Sequence, residues 1–349
     1  MDLTKHYEGI ACRIKQVDFG KLWLGFKPYR FALYDDEQVI LDGERIPKTD
    51  AFTGNTAIPY EGAYIAIWKL VEDLDPDVLA SKLSHEMFHA FQHERGEKRF
   101  PNEMEAVQRY TYSAEYLQIK HDENRLLVEL MEHDDGEKLQ RLLGYRKYRQ
   151  GHNPYEYNYE AMIEAIEGSA QYVEYHALRQ LDERKAKDAL DTMCQRVGDI
   201  KRLIPARIQA YDVGALMLMI GMDRGIKAHQ SIGSSVQGFC QCLVDEAKMP
   251  EVVPEVTTEI QEYYDADQRK LKELVECAKK SPAKIITGDY ELLGFNVYSA
   301  REYEGYLYSQ YFVMIRDDGK EQILYGDFVL RLEDDRVKRI YRMDDSASQ

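Results

Sequence analysis

The sequence contains little cysteine and no long apolar run. Its five cysteines are an odd number scattered over 349 residues, so no disulfide framework is expected. Cys240 and Cys242 lie two positions apart without a second cysteine pair, which argues against a zinc site made of thiolates. The longest apolar stretch, residues 214–222, is too short to cross a bilayer, and the first residues lack the apolar segment of a secretory signal. We therefore expect a cytoplasmic protein with reduced cysteines.

Basic side chains are also in deficit. The chain has 46 lysines and arginines against 62 aspartates and glutamates, which gives a net charge of −16. Such a balance argues against nucleic acid as a partner, because no basic excess is available to pair with phosphates. The negative charge of the chain also disfavours binding to an anionic membrane surface. Cationic partners, including divalent metal ions, remain compatible with the charge, and the sequence does not indicate an oligomeric state.

Hydrophobic periodicity divides the chain into three zones. Residues 1–72 contain short strand-like segments, and residues 73–282 contain long helical runs. Residues 283–349 are strand-like again. This order predicts an α+β protein in which an N-terminal sheet of strands precedes a mainly helical core, and a small antiparallel β domain ends the chain.

Turn and capping residues mark individual elements. Asp75-Pro76 is typical of a helix start, since a capping side chain precedes proline at the first helical position, and Asp318-Gly319 between apolar runs predicts a hairpin. The predicted strands include Phe31–Tyr34, Gln38–Leu41, 63–68, 306–316, 322–332 and 337–342. The predicted helices after the one that starts at Asp75 are 102–133, 154–190, 205–222, 236–248 and 257–280.

One segment of the first predicted helix carries a chemical signature. His85-Glu86-Met87-Phe88-His89 matches the pattern HExxH. Two histidines four residues apart project from one helix face and can bind one Zn²⁺ through their imidazole nitrogens. Glu86 lies nearly on that face, where it can take a proton from a water molecule activated by the metal. The alternative is a pair of solvated histidines on a helix surface.

The third ligand decides what kind of site this is. In the extended metzincin pattern a third histidine would fall at Arg95, so that interpretation fails. His93 continues the four-residue series, but each step turns a helical side chain by about 40°, which favours a supporting or surface role. A carboxylate from another helix is the remaining option and would give a set of two histidines and one glutamate.

The helix predicted to begin at Pro154 supplies candidate carboxylates. It carries a stripe of Glu160, Glu164, Glu167, Gln171 and Glu174. An ordinary solvated face is the alternative, and we favour it for Glu160 and Glu174. Glu167 differs because Gly168 and Ala170 follow it, and small residues would let this helix approach the helix of His85 and His89.

These segments together resemble a known family. The HExxH pattern followed by Glu167-Gly168-Ser169-Ala170-Gln171-Tyr172 resembles the gluzincin metallopeptidases, whose third zinc ligand is a glutamate in an E-G-x-A-x-Y type segment. The resemblance covers about residues 57–221. It implies a zincin-like catalytic core with His85, His89 and Glu167 as zinc ligands and Glu86 as the general base.

A third segment supports the resemblance to gluzincins, and two segments depart from the family's patterns. Tyr211-Asp212-Val213-Gly214 is similar to the Tyr-x-x-Gly of the zinc aminopeptidases, which implies that Tyr211 stabilises the oxyanion; a tyrosine packed in the core is the alternative. Residues 51–55 lack the glutamate-containing segment with which aminopeptidases bind the free amine of the substrate. Gln171 replaces the aspartate that orients a zinc histidine in the thermolysin branch, so that interaction must differ or come from elsewhere.

The sequence therefore predicts a zinc-dependent metallohydrolase, a gluzincin-type peptidase with Zn²⁺ as cofactor and a peptide or protein as substrate. A predicted strand at residues 57–68 precedes the zinc helix and could present a free edge that pairs with an extended peptide. A zinc-site protein used for binding or scaffolding is the alternative, although Glu86 argues against it because a structural site needs no base. A helix-rich interaction protein with a fortuitous motif is a third possibility. The sequence names neither the substrate nor the role of the C-terminal strands.

Overall fold

Two sheets and a set of helices between them form the α+β fold that the sequence predicts. The structure is a computed structural model and describes residues 2–280, 285–334 and 336–343. A small N-terminal sheet comes first, a helical core follows, and an antiparallel sheet of seven strands comes last. The predicted boundary between residues 282 and 283 lies outside the described residues.

The N-terminal sheet has five strands in the order β3-β2-β1-β5-β4. They are β1 (Phe31–Tyr34), β2 (Gln38–Leu41), β3 (Glu44–Pro47), β4 (Thr56–Tyr60) and β5 (Ala63–Lys69). Strands β1 and β5 are parallel, and the other neighbours are antiparallel. The segment predicted as one strand at 57–68 is a hairpin, because Glu61 and Gly62 both take positive φ and form a two-residue turn. Strand β4 is therefore an edge strand.

The strand-like interpretation of the first residues is wrong. Residues Leu3–Ile14 form helix α1, and Phe19–Leu22 form the short helix α2. The buried side chains of α1 are Leu3, Tyr7, Ile10 and Ile14, whose spacings of four, three and four match a helix face. Asp2 caps this helix by accepting hydrogen bonds from the backbone N–H groups of Thr4 and Lys5.

The helical core contains ten α-helices within the described residues. They are α3 (Pro76–Glu94), α4 (Glu103–Arg109), α5 (Ala114–Glu132), α6 (Gly136–His152), α7 (Pro154–Ile163), α8 (Ser169–Leu181), α9 (Glu183–Gly198), α10 (Ala206–Asp223), α11 (Gln241–Glu246) and α12 (Thr258–Lys279). A π-helical segment, Glu164–Gly168, joins α7 to α8. Short 3₁₀ turns lie at Ile200–Arg202 and Ala228–Gln230.

Capping side chains explain where the predicted helices hold and where they divide. Asp75 caps α3 as predicted, accepting from the N–H groups of Asp77 and Val78. The single helix predicted at 102–133 is two, because Ser113 accepts from the Tyr116 N–H and starts α5. The helix predicted at 154–190 divides in the same way at Asp182, which caps α9. Helix α6 was not predicted, and α11 is shorter than expected.

The C-terminal sheet has the strand order β10-β9-β6-β12-β11-β8-β7, with every neighbouring pair antiparallel. Its strands are β6 (Ile285–Phe295), β7 (Arg301–Tyr303), β8 (Tyr306–Ser309), β9 (Phe312–Asp317), β10 (Lys320–Tyr325), β11 (Phe328–Glu333) and β12 (Arg336–Arg342). The predicted turn at Asp318-Gly319 is confirmed. The strands predicted at 306–316 and 322–332 each divide in two, at Tyr311 and Gly326, which take positive φ and pair through a backbone hydrogen bond.

Helix α3 runs through the largest apolar cluster. Leu79, Leu83, Met87 and Phe88 are fully buried there against α1, the N-terminal sheet and α8. The C-terminal sheet rests on α4 through Met104 and Val107 and on α12 through a second cluster. In the described ranges, no helix combines the length and the apolar character that crossing a membrane requires.

Candidate metal centre

Helix α3 presents His85 and His89 on the same side, one turn apart. Their ring centroids lie 4.8 Å apart, with the rings inclined at 74°. Leu83 and Met87 lie on the opposite side of the helix and are fully buried, which fixes the direction in which the histidines point. His85 is buried and His89 is nearly so.

The π-helical segment brings Glu167 to these two histidines. Its Oε2 lies 3.7 Å from His85 Nε2 and 3.2 Å from His89 Nε2. Two ligand atoms about 2.1 Å from one tetrahedral zinc lie about 3.4 Å apart, so both distances are close to those of a common ion. One ligand atom from each of the three residues falls within 4.8 Å of the others, and the group could hold a metal ion. The structure thus brings together the three residues predicted as ligands.

Each histidine has an acceptor on its other nitrogen. His89 Nδ1 lies 2.8 Å from Gln92 Oε1, whose amide nitrogen donates in turn to the carbonyl of Ile166. His85 Nδ1 lies 3.1 Å from Glu174 Oε2, an ion-pair distance without the alignment of a full hydrogen bond. Acceptors on Nδ1 leave both Nε2 atoms free to face Glu167. The orienting interaction that Gln171 cannot supply therefore comes from Gln92 and Glu174.

Glu174 corrects one expectation from the sequence, since it does not lie on a solvated face. Its carboxylate contacts both His85 and Lys82 and is largely buried. Burial raises the pKa of this carboxyl, but His85 and Lys82 outweigh that effect and lower the pKa to about 2. The reason is geometric: Glu174 lies seven residues after Glu167, two helical turns along the same face.

Glu160 corrects a second expectation, because it is 1% exposed. It accepts hydrogen bonds from Tyr110, Tyr116 and Arg149 and pairs with Lys120 at 2.6 Å. The remaining members of this buried charge cluster are Glu123, Arg146 and Glu164. The cluster ties α7 and the π-helical segment to α5 and α6, one and two turns before Glu167.

Of the two small residues that were expected to let the Glu167 helix approach α3, Gly168 contacts a different helix. Ala170 is fully buried in the cluster that contains the α3 side chains, as predicted. Gly168 instead faces α10: a Cβ at Gly168 would lie 2.6 Å from the Cα of Gly214. A Cβ at Gly214 would lie 2.7 Å from the Cα of Glu164. The two glycines therefore permit close approach of α10 to the π-helical segment rather than of α3.

Glu86 is buried beside the three candidate ligands. Burial raises the pKa of its carboxyl, and this exceeds the lowering effect of His85 and His89. No hydrogen bond or ion pair ties the carboxylate to another residue in the described parts of the chain. A carboxylate without a fixed partner is available to exchange a proton, which is what a general base requires.

The electrostatics of the three candidate ligand residues favour a cation. Burial disfavours protonated His85, but the Glu167 and Glu174 carboxylates outweigh it and raise its pKa to about 10. Burial likewise opposes ionisation of Glu167, yet His89 and His85 hold its pKa well below the usual range. The Glu167 carboxylate is therefore charged, and a metal ion that binds here displaces protons from the imidazoles.

His93 lies outside the ligand group, as predicted. Its ring is stacked between Tyr64 at 4.9 Å and Phe100 at 5.0 Å, with interplanar angles of 7° and 8°. This stack borders a cavity of about 270 Å³ that we call the metal pocket. Thr56 of the edge strand β4 also lines it, together with His89, Phe100, Pro101, Glu103, Ile163, Ile166, Glu167 and Arg207.

Tyr211 lies on α10, five residues after the helix begins. Its hydroxyl is 3.0 Å from that of Tyr298, which lies in the loop between β6 and β7 of the C-terminal sheet. Burial raises the pKa of Tyr211, and the nearby Glu167 carboxylate raises it further, so the phenol keeps its proton and can donate a hydrogen bond. Its contact with a reacting group stays a prediction.

Arg207 is the main residue that sequence reasoning missed. It donates to Glu167 Oε1 at 3.2 Å, on the oxygen that does not face the histidines, and it also pairs with Glu103. Glu103 accepts a further hydrogen bond from Tyr159 at 2.8 Å. The sequence does contain one indication of this role: Arg207 lies four residues before Tyr211 and therefore on the same face of the helix.

Comparisons of the chain with family models, curated proteins and solved structures found no match. The donor set is therefore the feature of the chain that bears on function. Two imidazole nitrogens and one carboxylate oxygen match the catalytic zinc sites that have three protein ligands and one open position. Structural zinc sites have four protein ligands, and the group in the described residues supplies three.

Proposed function

We propose that the chain is a zinc-dependent metallohydrolase that cleaves peptide bonds. The observation that carries this proposal is the convergence of His85 Nε2, His89 Nε2 and Glu167 Oε2 beside the buried carboxylate of Glu86. The three ligand residues fit zinc in donor type, separation and charge. Zinc held there would supply Lewis acidity, polarising a carbonyl and lowering the pKa of water.

The protein's own residues divide the remaining work. Glu86 takes the proton of the attacking water on its carboxylate and delivers it to the leaving nitrogen. Gln92 and Glu174 hold the two imidazoles so that their Nε2 atoms face the same point. Arg207 holds Glu167 Oε1, which leaves Oε2 for the metal. Tyr211 donates its phenolic hydrogen bond to the negative charge that develops on the substrate oxygen.

The free edge of β4 supports a polypeptide substrate. Tyr60 and Ala63 close a two-residue hairpin, so Ala57 and Ala66 form a pair whose backbone groups point away from each other. The Ala66 N–H accordingly bonds to the carbonyl of Arg30 at 3.0 Å, on the β1 side. Ala57 therefore presents its N–H and C=O at the open edge, near the Thr56 end of the metal pocket. An extended peptide can pair with such an edge.

The test combines metal content with hydrolysis of an unfolded polypeptide. Protein purified without chelators should contain about one zinc per chain and release peptides from reduced, alkylated casein. Glu86→Gln should retain the zinc and lose hydrolysis, because it removes a base rather than a ligand. Glu94→Gln on the same helix, where Glu94 accepts from Tyr29, is the matched control and should remain active.

The two ways of failing differ. A protein that takes up no zinc on titration has no metal centre of this kind. A protein with one zinc per chain that cuts no unfolded polypeptide is a zinc-binding protein without hydrolytic function.

A further inference from the structure

A second cavity lies next to the metal pocket. It measures about 320 Å³ and is enclosed by α4, the start of α10, α12 and the β6–β7 region of the C-terminal sheet; we call it the C-terminal cleft. Glu103 and Arg207 line both cavities. The ion pair between these two residues is therefore a wall that the two cavities share.

The walls of the C-terminal cleft are fixed. Val107 of α4 packs against the apolar cluster of the C-terminal sheet. Arg301 of β7 binds Asp267 of α12 through two parallel hydrogen bonds of 2.8 and 2.7 Å, and its guanidinium lies 4.7 Å from the ring centre of Tyr112. Bidentate pairs of this kind are among the stronger polar contacts, so the cleft is preformed rather than created by a ligand.

The charges in the cleft do not balance. Both lining arginines are neutralised, Arg301 by Asp267 and Arg207 by Glu103 and Glu167. Glu302 accepts from the N–H of Gly305, and neither Glu302 nor Glu304 pairs with a cation among the described residues. The side chains in the cleft that lack an oppositely charged partner are thus carboxylates, which make its potential negative. The net charge of −16 on the whole chain adds to this potential.

We infer that the C-terminal cleft is a subsite for the substrate polypeptide that takes a lysine or arginine side chain facing Glu302 and Glu304. The inference rests on the proposed function, because it assigns the cleft to the same substrate. The phenol ring of Tyr303 lines the cavity, where it would pack against the methylene stem of such a side chain and favour a cation over its face. The position of Arg301 over Tyr112 illustrates that geometry within this chain. The C-terminal sheet thereby gains a role in substrate choice.

Binding to an inactive protein tests this inference without depending on hydrolysis. Fluorescein-labelled dodecapeptides that differ only in carrying lysine, glutamine or glutamate at one internal position are titrated with the Glu86→Gln protein, and Kd is read from anisotropy at low salt. The position is scanned along the peptide. At one position the lysine peptide should bind about three- to tenfold more tightly than the glutamate peptide, as expected for partly exposed ion pairs.

Charge-neutral variants identify the groups responsible. The Glu302→Gln/Glu304→Gln protein should lose the preference for lysine while binding the glutamine peptide as before. Asp317→Asn/Asp318→Asn, at the β9–β10 turn of the same sheet, removes the same charge outside the cleft and should leave the preference unchanged. Equal binding of lysine and glutamate peptides at every position overturns the inference, as does a preference that survives in the Glu302/Glu304 variant. Zinc-dependent hydrolysis without any charge preference would leave the proposed function standing and remove only the subsite.

Discussion

The hydroxyl groups of Tyr211 and Tyr298 lie 3.0 Å apart and join the helical core to the C-terminal sheet beside the candidate metal centre. The Tyr298 loop is held in place because the side chain of Asn296 accepts from the Tyr298 N–H at 3.1 Å. If Tyr211 donates its proton to a substrate oxygen, its own oxygen can accept from Tyr298. Hydrogen bonds in such a chain polarise one another and strengthen the terminal donor.

Removing the Tyr211 hydroxyl should therefore slow the reaction without weakening substrate binding. Tyr211→Phe should lower kcat by about a hundred- to a thousandfold, because the lost hydrogen bond is stronger in the transition state than in bound substrate. KM and zinc content should change little. Tyr298→Phe should lower kcat by about two- to tenfold, the size of one neutral hydrogen bond, and should add nothing in the Tyr211→Phe background. Wild-type kcat in Tyr211→Phe would show that Tyr211 only packs.

Metal affinity should rank the carboxylates around the centre. Glu167→Ala, like His85→Ala and His89→Ala, should abolish stoichiometric zinc binding because it removes a ligand. Glu174→Gln should weaken binding by about 10- to 100-fold, since it alters only the partner of His85 Nδ1. Competition with a chromogenic chelator measures each affinity. Equal losses for the Glu167 and Glu174 variants would mean that the third ligand is misassigned.

The buried charge cluster should make the fold sensitive to acid. Burial opposes ionisation of Glu160 and Glu123, but the neighbouring cations, with Arg149 foremost, hold both pKa values below the usual range. A folded pKa below the unfolded value of about 4.3 stabilises the protein above that pH, and the stabilisation is lost as the pH falls further. The free energy of unfolding in urea should accordingly decline below about pH 4.3.

A substitution in the buried charge cluster tests how much the cluster contributes to the free energy of unfolding. Glu160→Gln leaves Arg149 and Lys120 facing a neutral amide, so it should lower the free energy of unfolding at pH 7 by about 3–5 kcal/mol. Its decline below about pH 4.3 should be shallower than in the wild type. Glu137→Gln, at an exposed glutamate of α6, should stay within about 0.5 kcal/mol of the wild type. A Glu160 variant as stable as this control would contradict the assigned role.

The sequence was informative where chemistry and local signals coincide. The HExxH spacing, the capping of α3 by Asp75 and the glutamate on a second helix predicted three residues that the fold brings together. The stripe from Glu160 to Glu174 did not predict which of its glutamates are buried. Helical spacing alone does not distinguish a solvated face from one that is buried against arginines. Tyr298 gave no signal, since only the pairing of the C-terminal strands brings it to Tyr211.

The edge of β4 allows a prediction about the substrate. Ala57 directs its N–H away from β5, so Ala57→Pro removes a donor from the open edge without breaking a bond to β5. If an extended peptide pairs there, kcat/KM for peptide cleavage should fall by about tenfold, the effect of losing one backbone hydrogen bond. Arg45→Pro is the matched control, because Arg45 holds the equivalent position at the opposite edge of the same sheet, in β3. Equal kcat/KM in the Ala57 and Arg45 variants would rule out this edge as the substrate strand.

The same edge predicts that the substrate needs no free amine, because it binds the peptide backbone. A peptide and its N-acetylated form should therefore be cut at similar internal bonds. A strong preference for the peptide with the free amine would contradict backbone pairing at this edge.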